Sequence, residues 1–301
     1  MKMFWRYLQS GIYWLSYLVF PLLIYFTWRL WNEPSSWLLM VGVILALLFI
    51  YARFVEPYWL KVRTEKYVHG GGKVAVRVLL LSDPHFGVFR KRRFFEKVFA
   101  KIRELKPDLV LIPGDLINDP SEAELKQIFK PLAKLGAPVY AVTGNHDSKK
   151  PGYYISERVR EELIAVGVRT MDNLVEVVSV KGIKINLLGM SDLMEGEHDW
   201  RVLWQERDRK HFNLLLAHNP DMAHEIVPGS PVDMVLSGHT HAGQIKLPPI
   251  SDWLIPTVHK FHHGWHQING RPVYVSSGLG EVILPMRFLI RPEIIVMDLK
   301  L

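Results

Sequence analysis

The sequence contains no cysteine in its 301 residues. It therefore has no disulfide, no thiolate ligand for a metal and no thiol nucleophile. A metal site in this chain has to use histidine, aspartate, glutamate or asparagine, and this donor set is more typical of catalytic sites than of structural zinc sites. The chain also shows no internal repeat and no low-complexity tract.

Charged residues are missing from two long stretches near the N-terminus, 7–28 and 34–52. About 20 apolar residues are enough to span a bilayer. Aromatic residues of the kind that sit at membrane interfaces lie near the ends of both stretches, namely Trp5, Trp28, Trp31, Trp37 and Tyr51. A secretory signal peptide fits poorly, because the first stretch is long, lacks a small-residue cleavage site and is followed by a second one. We therefore predict a two-helix transmembrane anchor over residues 1–56, with a re-entrant or interfacial hairpin as the alternative.

The distribution of basic residues predicts how this hairpin is oriented. Lys2 and Arg6 precede the hairpin, and a group of four basic residues follows it, namely Arg53, Lys61, Arg63 and Lys66. The connection between the two stretches carries Arg29, which is offset by Glu33. The positive-inside rule then places both ends of the hairpin in the cytoplasm. The net charge of +7 suits an anionic substrate, an anionic membrane surface or a nucleic acid.

Beyond the hairpin we divide the chain into a juxtamembrane linker, 57–72, and a large domain, 73–301. Charged and apolar residues nearly alternate over 58–68, so an edge strand is the alternative to a linker there. The predicted strands of the domain are 74–81, 108–112, 139–142, 175–180, 183–189, 212–216, 232–236, 273–275 and 293–298, and its predicted helices are 94–105, 122–135 and 156–166. Strands that alternate with helices indicate an α/β protein, in which ligands collect beyond the carboxyl ends of the strands.

Five of the predicted strands end in residues that can bind a metal. These residues are Asp83, His85, Asp115, Asn145, His146, His218, His239 and His241. Each one alone is explained by a turn or a surface position, but five such strand ends have no common structural cause. The set exceeds what one zinc ion needs, and two ions that share a bridging carboxylate would use it. Asp115, which stands alone at its strand end, is the natural bridge.

The strand-end motifs resemble the five signature blocks of the calcineurin-like metallophosphoesterases, and the wider sequence is similar to a bacterial membrane-anchored subgroup. The motifs are Asp83-Pro84-His85, Gly114-Asp115, Gly144-Asn145-His146-Asp147, Ala217-His218-Asn219 and Gly238-His239-Thr240-His241. The resemblance implies a four-layer αββα sandwich, preceded here by the helical hairpin. It implies that one metal is held by Asp83, His85, Asp115 and His241, and the other by Asp115, Asn145, His218 and His239.

The resemblance also implies that His146 is not a ligand but donates a proton to the leaving oxygen. Asp147 either orients His146 or is a turn residue. The sequence departs from the family at one place: Asn118 stands where many members have an acid, and Asp119 follows it.

The function implied is hydrolysis of a phosphodiester or pyrophosphate with two divalent ions, Mn, Fe or Zn, of which Mn is favoured. The ions would lower the pKa of a bridging water, and the resulting hydroxide would attack phosphorus. Some similar proteins cleave UDP-2,3-diacylglucosamine in lipid A synthesis, which favours a lipid-linked substrate at the bacterial inner (cytoplasmic) membrane, with a multi-pass anchor and a cytoplasmic catalytic domain. A broad phosphodiesterase for soluble or nucleotide substrates is the first alternative, and a non-catalytic metal-binding scaffold is the second.

Two further groups are candidates for substrate binding. Arg90 and Arg93 belong to a run of four basic residues that either binds phosphate or lipid headgroups or is a solvated helix start. His262 and His263 belong to a second histidine cluster, 259–266, in a loop that shapes the substrate pocket in the family. The basic run has few aromatic residues interleaved for base stacking, which disfavours a nucleic acid as the partner.

Overall fold

The computed structural model describes residues 2–90, 92–148, 154–205, 208, 210–247 and 250–301. The helices are α1 Lys2–Leu15, α2 Val19–Asn32, α3 Trp37–Ile50, α4 Arg92–Leu105, α5 Glu122–Ile128, α6 Asn145–Ser148, α7 Tyr154–Ala165, α8 Met222–Glu225 and α9 Ile250–Leu254. The strands are β1 Lys61–Val68, β2 Ala75–Leu80, β3 Phe86–Gly87, β4 Leu109–Pro113, β5 Ile117–Asn118, β6 Val139–Val142, β7 Arg169–Thr170, β8 Leu174–Val180, β9 Ile183–Gly189, β10 Phe212–Leu216, β11 Met234–Ser237, β12 Gly264–Ile268, β13 Arg271–Val275 and β14 Glu293–Lys300.

Two six-stranded sheets form the centre of the domain. Their strand orders are β1-β14-β2-β4-β6-β7 and β12-β13-β11-β10-β9-β8. In the first sheet β14 runs antiparallel to β2, and the other neighbouring pairs are parallel. In the second sheet the antiparallel pairs are β8 with β9 and β12 with β13. The carboxyl ends of β2, β4, β6 and β7 therefore lie at one edge of the first sheet, and those of β9, β10, β11 and β13 lie at one edge of the second. Ligand sites form at such edges.

The alternation of side chains along each strand builds the layers. In β2, Val78 and Leu80 point into the core between the two sheets, where they join Leu187 of the second sheet. Leu79 points the other way, into a second core that includes Phe95 of α4. Each buried apolar side chain of this size contributes about 1.5–3 kcal/mol of burial free energy. A third core covers the outer face of the second sheet with residues from α8. This arrangement is the predicted αββα sandwich, and the fold prediction is confirmed.

The structure departs from the sequence-based expectations in several elements. One is β12, which includes the end of the histidine-rich segment 259–266 that the family resemblance places in a loop. The segment assigned to a linker, 57–72, contains β1, which pairs in parallel with β14 along its whole length. The edge-strand alternative is thus the one the structure adopts. The predicted helix 122–135 begins with a capping box between Ser121 and Glu124 but ends at Ile128. A short 3-10 turn over Lys130–Lys134 follows, since Pro131 has no N–H and disfavours an α conformation at the residue before it.

Within the described residues, two N-terminal helices are long and apolar enough to cross a membrane, Arg6–Asn32 and Trp37–Tyr58. The second helix packs closely on the first at Gly42. A Cβ atom added there would lie only 3.3 Å from the ring of Phe26. Most of their large side chains point away from the protein, among them Trp31, which is 87% exposed. The last turns of the second helix are buried against the α/β domain, where the carbonyl of Ala52 accepts the N–H of Arg287 at 2.9 Å.

Candidate metal centre

The polar residues at the strand ends lie together at one edge of the two sheets. They follow β2, β4, β6, β10 and β11, and they are Asp83 and His85, Asp115, Asn145 and His146, His218, and His239 and His241. Asn145 and His146 are partly exposed, and the other six are buried. The edge that the parallel topology creates therefore carries a compact cluster of imidazoles and carboxylates, with its partly open side at the start of α6.

Five of these residues have a left-handed backbone. Their φ angles are +48° at Asp83, +47° at His85, +50° at Asp115, +68° at His239 and +47° at His241. Non-glycine residues rarely adopt this conformation, which costs about 1–3 kcal/mol at each position, and such strain clusters at functional sites. The surrounding packing must hold these turns. Gly144 shows how tight the packing is, since any Cβ there would collide with the carboxylate of Asp115.

One group of side chains consists of Asp83, His85, Asp115 and His241, whose donor atoms all lie within 4.8 Å of one another. The Nε2 atom of His85 is 3.0 Å from Nε2 of His241 and 3.4 Å from Oδ2 of Asp115. The Nε2 atom of His241 is 3.6 Å from Oδ1 of Asp83. Both carboxylates are further fixed by backbone amides: His239 N–H donates to Asp83 and His146 N–H donates to Asp115.

A second group consists of Asp115, His218 and His239, with Asn145 beside it. The Nε2 atom of His218 lies 3.3 Å from Oδ1 of Asp115, 3.2 Å from Oδ1 of Asn145 and 3.1 Å from Nδ1 of His239. Asp115 thus contributes one carboxylate oxygen to each group. The division of residues between the groups is the one that the motif resemblance implies.

Backbone carbonyls orient the two imidazoles of the second group. Nδ1 of His218 lies 2.7 Å from the carbonyl oxygen of Pro113, and Nε2 of His239 lies 3.2 Å from that of Pro256. An imidazole that donates one N–H to a carbonyl keeps its other nitrogen as a lone-pair donor. Each ring therefore offers a nitrogen to the centre of the group, Nε2 in His218 and Nδ1 in His239.

The charges in the cluster are strongly coupled. Burial raises the pKa of Asp83 to about 7. Burial would also raise the pKa of Asp115, but the positive charges of His218 and His146 outweigh it and hold that pKa well below its usual range. Burial opposes a charge on His218, yet Asp115 holds the pKa of His218 well above its usual range. Burial and the neighbouring His218 lower the pKa of His239 to about 4.

This donor set fits divalent metal ions. Carboxylate oxygens and imidazole nitrogens that face one another at 3.0–3.6 Å repel unless a proton or a cation lies among them. In the protein alone, the proton on His218 supplies that positive charge beside Asp115. A metal ion would displace it, as metal binding to imidazole generally does. Nitrogen and oxygen donors of this kind suit Mn, Fe and Zn.

His146 and Asp147 have different surroundings. The ring of His146 packs edge-on against His85, with centroids 4.8 Å apart, and is partly exposed. Asp147 is fully buried and accepts the backbone N–H groups of Gly144, Leu116 and Ile117 at 2.9–3.1 Å. Burial, together with the charge of Asp115, raises the pKa of Asp147 to about 8. The carboxyl of Asp147 thus holds two turns of the site together, which is the role that the turn alternative gives it.

The sequence departs from the family pattern at Asn118, which is followed by Asp119, and this segment is largely buried. Asn118 is 1% exposed at the end of β5, whereas Asp119 is half-buried. A residue that the sequence does not single out, Asp192, is fully buried, accepts the N–H groups of Met194 and Glu195, and acts electrostatically on His218 and His239. Its position after β9 at the same sheet edge is the signal that could have identified it.

The four candidates for substrate binding lie outside both groups. Arg90 is 2% exposed, pairs with Glu281 and donates to the carbonyl of Pro57. This corrects the expectation that it binds substrate, because a buried and paired guanidinium is not available to a phosphate. Arg93 is exposed on α4. His262 is exposed with Nε2 3.5 Å from Asp252, and His263 is partly buried.

Comparison with known sequences agrees with this geometry. Residues 76–243 match the profile of the family described as Calcineurin-like phosphoesterase. The metallophosphoesterase YkuE of Bacillus subtilis is 33% identical over 260 residues, which cover 83% of this chain and 89% of that protein.

Two further relatives carry more descriptive names. The phosphodiesterase YaeI of Escherichia coli is 28% identical, over 83% of this chain and 92% of its own length. A transmembrane protein with metallophosphoesterase domain from Danio rerio is 32% identical, over 75% of this chain and 53% of its own length. The residues that match the family profile, 76–243, include the strand ends that carry both groups.

Proposed function

Since the chain belongs to the calcineurin-like phosphoesterase family, we propose that this metal-dependent phosphoester hydrolase is a two-metal phosphodiesterase or pyrophosphatase that its N-terminal hairpin holds at a membrane. The observation that carries the proposal is the shared carboxylate: Asp115 directs one oxygen to each group, at 3.4 Å from His85 and 3.3 Å from His218. Two ions bridged in this way suit phosphoryl transfer better than one isolated ion.

Asp83, His85, Asp115 and His241 would hold one divalent ion, and Asp115, Asn145, His218 and His239 the other. When bound, such a pair supplies an acidified water as nucleophile and offsets the negative charge on the phosphate. Mn is the favoured metal, with Fe and Zn as alternatives for the same donors. A water nucleophile is consistent with a chain that has no cysteine.

The remaining catalytic role falls to His146. Its ring stands beside His85 at the partly open side of the cluster, and its backbone N–H donates to Asp115 at 2.9 Å. An imidazole at that place can give a proton to the leaving oxygen as the phosphorus–oxygen bond breaks. Asp147 supports the step indirectly, because it fixes the turn that carries Asn145 and His146.

The substrate we favour is a lipid-linked diester or pyrophosphate. The two apolar helices support this choice, because an anchor places the enzyme where amphipathic molecules are concentrated. UDP-2,3-diacylglucosamine is the specific candidate, cleaved at the cytoplasmic face of a bacterial inner membrane. Cleavage of soluble diesters by a broad phosphodiesterase is the second candidate, and the name of the Escherichia coli relative, a phosphodiesterase, favours it.

The test uses the full-length protein purified in detergent and loaded with Mn²⁺. Turnover of bis(p-nitrophenyl) phosphate, absent in Asp115→Asn, would support the reaction class. Phosphorus NMR with UDP-2,3-diacylglucosamine would then show UMP if the lipid substrate is correct. An unchanged NMR spectrum together with diester turnover would favour the broad phosphodiesterase. Bound metal without any turnover would favour a non-catalytic scaffold.

A further inference from the structure

The side chain of Arg287 is fully buried next to the first metal group, and the proposed reaction gives it no part. Its Nη2 atom lies 3.3 Å from Nδ1 of His241. The same nitrogen lies 2.9 Å from the carbonyl oxygen of Ser277, 3.2 Å from that of Gly278 and 2.6 Å from that of Gly280. One guanidinium nitrogen therefore lies within contact distance of a metal-group imidazole and of three backbone carbonyls in one neighbouring loop.

That loop, residues 276–281, forms the wall behind the other ligands of the same group. The N–H of Leu279 donates to the carbonyl of Ser82, and the N–H of Gly280 donates to that of Asp83 at 2.8 Å. Gly278 has φ +70°, and a Cβ there would lie 2.8 Å from Cβ of Asp83. Arg287 thus braces the backbone against which Asp83 is packed while it touches His241 directly.

The charge of Arg287 has a buried partner. Its Nε atom lies 4.0 Å from Oε1 of Glu281, and Glu281 also pairs with Arg90. Burial lowers the pKa of Arg287 only to about 10, so the guanidinium is charged at neutral pH. The carboxylate of Glu281, which Arg287 shares with Arg90, offsets part of this charge and so weakens its repulsion of an ion bound beside His241.

The backbone of Arg287 connects this arrangement to the N-terminal helices. Its N–H donates to the carbonyl of Ala52 at 2.9 Å, and the N–H of Leu289 donates to the carboxylate of Glu56 at 2.8 Å. Both acceptors belong to the last turns of the second apolar helix. Among the described residues, Arg287 contacts His241 of the first group but neither His218 nor His239, so the group on which it acts directly is the first one.

We propose that Arg287 is a positioning residue for the metal group of Asp83, His85, Asp115 and His241, which it joins to the end of the second apolar helix. The inference rests on the proposed function in one respect: the group must bind a divalent ion. Substitutions in the hydrogen-bonded surroundings of metal ligands typically lower metal affinity by about 10- to 100-fold. We expect a loss of this size at the first group and an unchanged affinity at the second.

The test compares Arg287→Met with Arg287→Lys and with the control Arg271→Met in full-length protein in detergent. Arg271 is a matched control, because its guanidinium also binds backbone carbonyls, those of Val232 and Ser230, away from the metal groups. Equilibrium dialysis with Mn²⁺ and metal analysis would give the stoichiometry and the two affinities. Electron paramagnetic resonance would report whether the bound Mn²⁺ ions are coupled as a pair.

The wild-type protein and Arg271→Met should bind two coupled Mn²⁺ ions. Arg287→Met should bind one ion tightly and lose the coupled signal, and Arg287→Lys, which keeps the charge, should recover part of the affinity. Circular dichroism and the thermal midpoint of each variant establish that it is folded, and Arg287→Lys decides the question if Arg287→Met is not. A folded Arg287→Met with two coupled ions of wild-type affinity would overturn this inference alone, and if Arg287→Met does not fold, the same result for Arg287→Lys would overturn it. A wild-type protein without bound Mn²⁺ would overturn the proposed function as well.

Discussion

The two metal groups share Asp115, but the protein holds them in different ways. The first group has four ligands, all buried, and a fully buried arginine behind them. The second group has its imidazoles oriented by the carbonyls of Pro113 and Pro256, and its amide ligand, Asn145, is partly exposed. One group is enclosed by packed side chains, and the other lies nearer the surface.

This difference separates two tasks within one centre. A preassembled, enclosed set of ligands gives tight binding of a metal, since little has to be ordered when the ion arrives. A set with a partly exposed member leaves room for the substrate oxygen beside the ion, as open catalytic sites require. We therefore expect the first ion to bind more tightly and the substrate to approach from the side of Asn145 and His146.

The largest effect is expected from Asp115, because it belongs to both groups. Asp115→Asn removes the charge that holds the pKa of His218 high and one anionic ligand from each ion. We expect kcat/KM to fall more than about 10,000-fold, which corresponds to about 5.4 kcal/mol of transition-state stabilisation. Steady-state kinetics and metal analysis would measure it. If one ion remained bound and activity fell less than tenfold, the shared carboxylate would not be the bridge.

A matched pair of histidine variants would sharpen the comparison. His241→Ala should lower the affinity of the more tightly bound ion, and His239→Ala that of the weaker ion, each with an activity loss of about 1,000-fold at limiting Mn²⁺, or about 4 kcal/mol. Excess Mn²⁺ should restore more activity to His239→Ala, since its group is the more open one. Mn²⁺ titrations of both variants would show it, and an identical response to Mn²⁺ would contradict the proposed difference between the groups.

The sequence predicts the chemistry of this site better than the way it is held. His218 and Asp83 are far apart in the chain and lie in different sheets, yet each follows a parallel strand, and ligand sites form at the carboxyl ends of such strands. The five site residues with a left-handed backbone are Asp or His, which adopt it more often than most residues, but tertiary packing decides which Asp and His residues do so. The inward turn of Arg90 depends on Glu281, 191 positions away, and no local pattern in a basic run indicates such a partner.

A smaller loss is expected from His146, which belongs to neither group. His146→Gln should keep both metals and lower kcat by about 100-fold for substrates with a poor leaving group. The loss should shrink for p-nitrophenolate, which needs little protonation when it leaves. Comparing kcat for an alkyl and a p-nitrophenyl ester would check this. Equal losses for both esters, with both metals bound, would show that His146 does not act as the proton donor.

The smallest effect on catalysis is expected from two arginines that are close in sequence but differ in burial. Arg90 pairs with Glu281 in the interior, whereas Arg93 is exposed on α4. Arg90→Met removes the close partner of the buried Glu281 and leaves only Arg287, 4.0 Å away, and breaking a buried pair typically costs about 3–5 kcal/mol of the free energy of unfolding. Arg93→Gln removes an exposed charge, which is worth less than about 1 kcal/mol.

Thermal unfolding and KM measured on both variants would separate stability from substrate binding. We expect Arg90→Met to lower the thermal midpoint, with little change in the KM of the protein that remains folded. We expect Arg93→Gln to change KM less than about threefold, which corresponds to about 0.7 kcal/mol. A large rise in KM for Arg93→Gln, with its thermal midpoint unchanged, would instead place the substrate phosphate at the start of α4. The open side of the centre would then extend from His146 toward that helix, rather than lie with Asn145 alone.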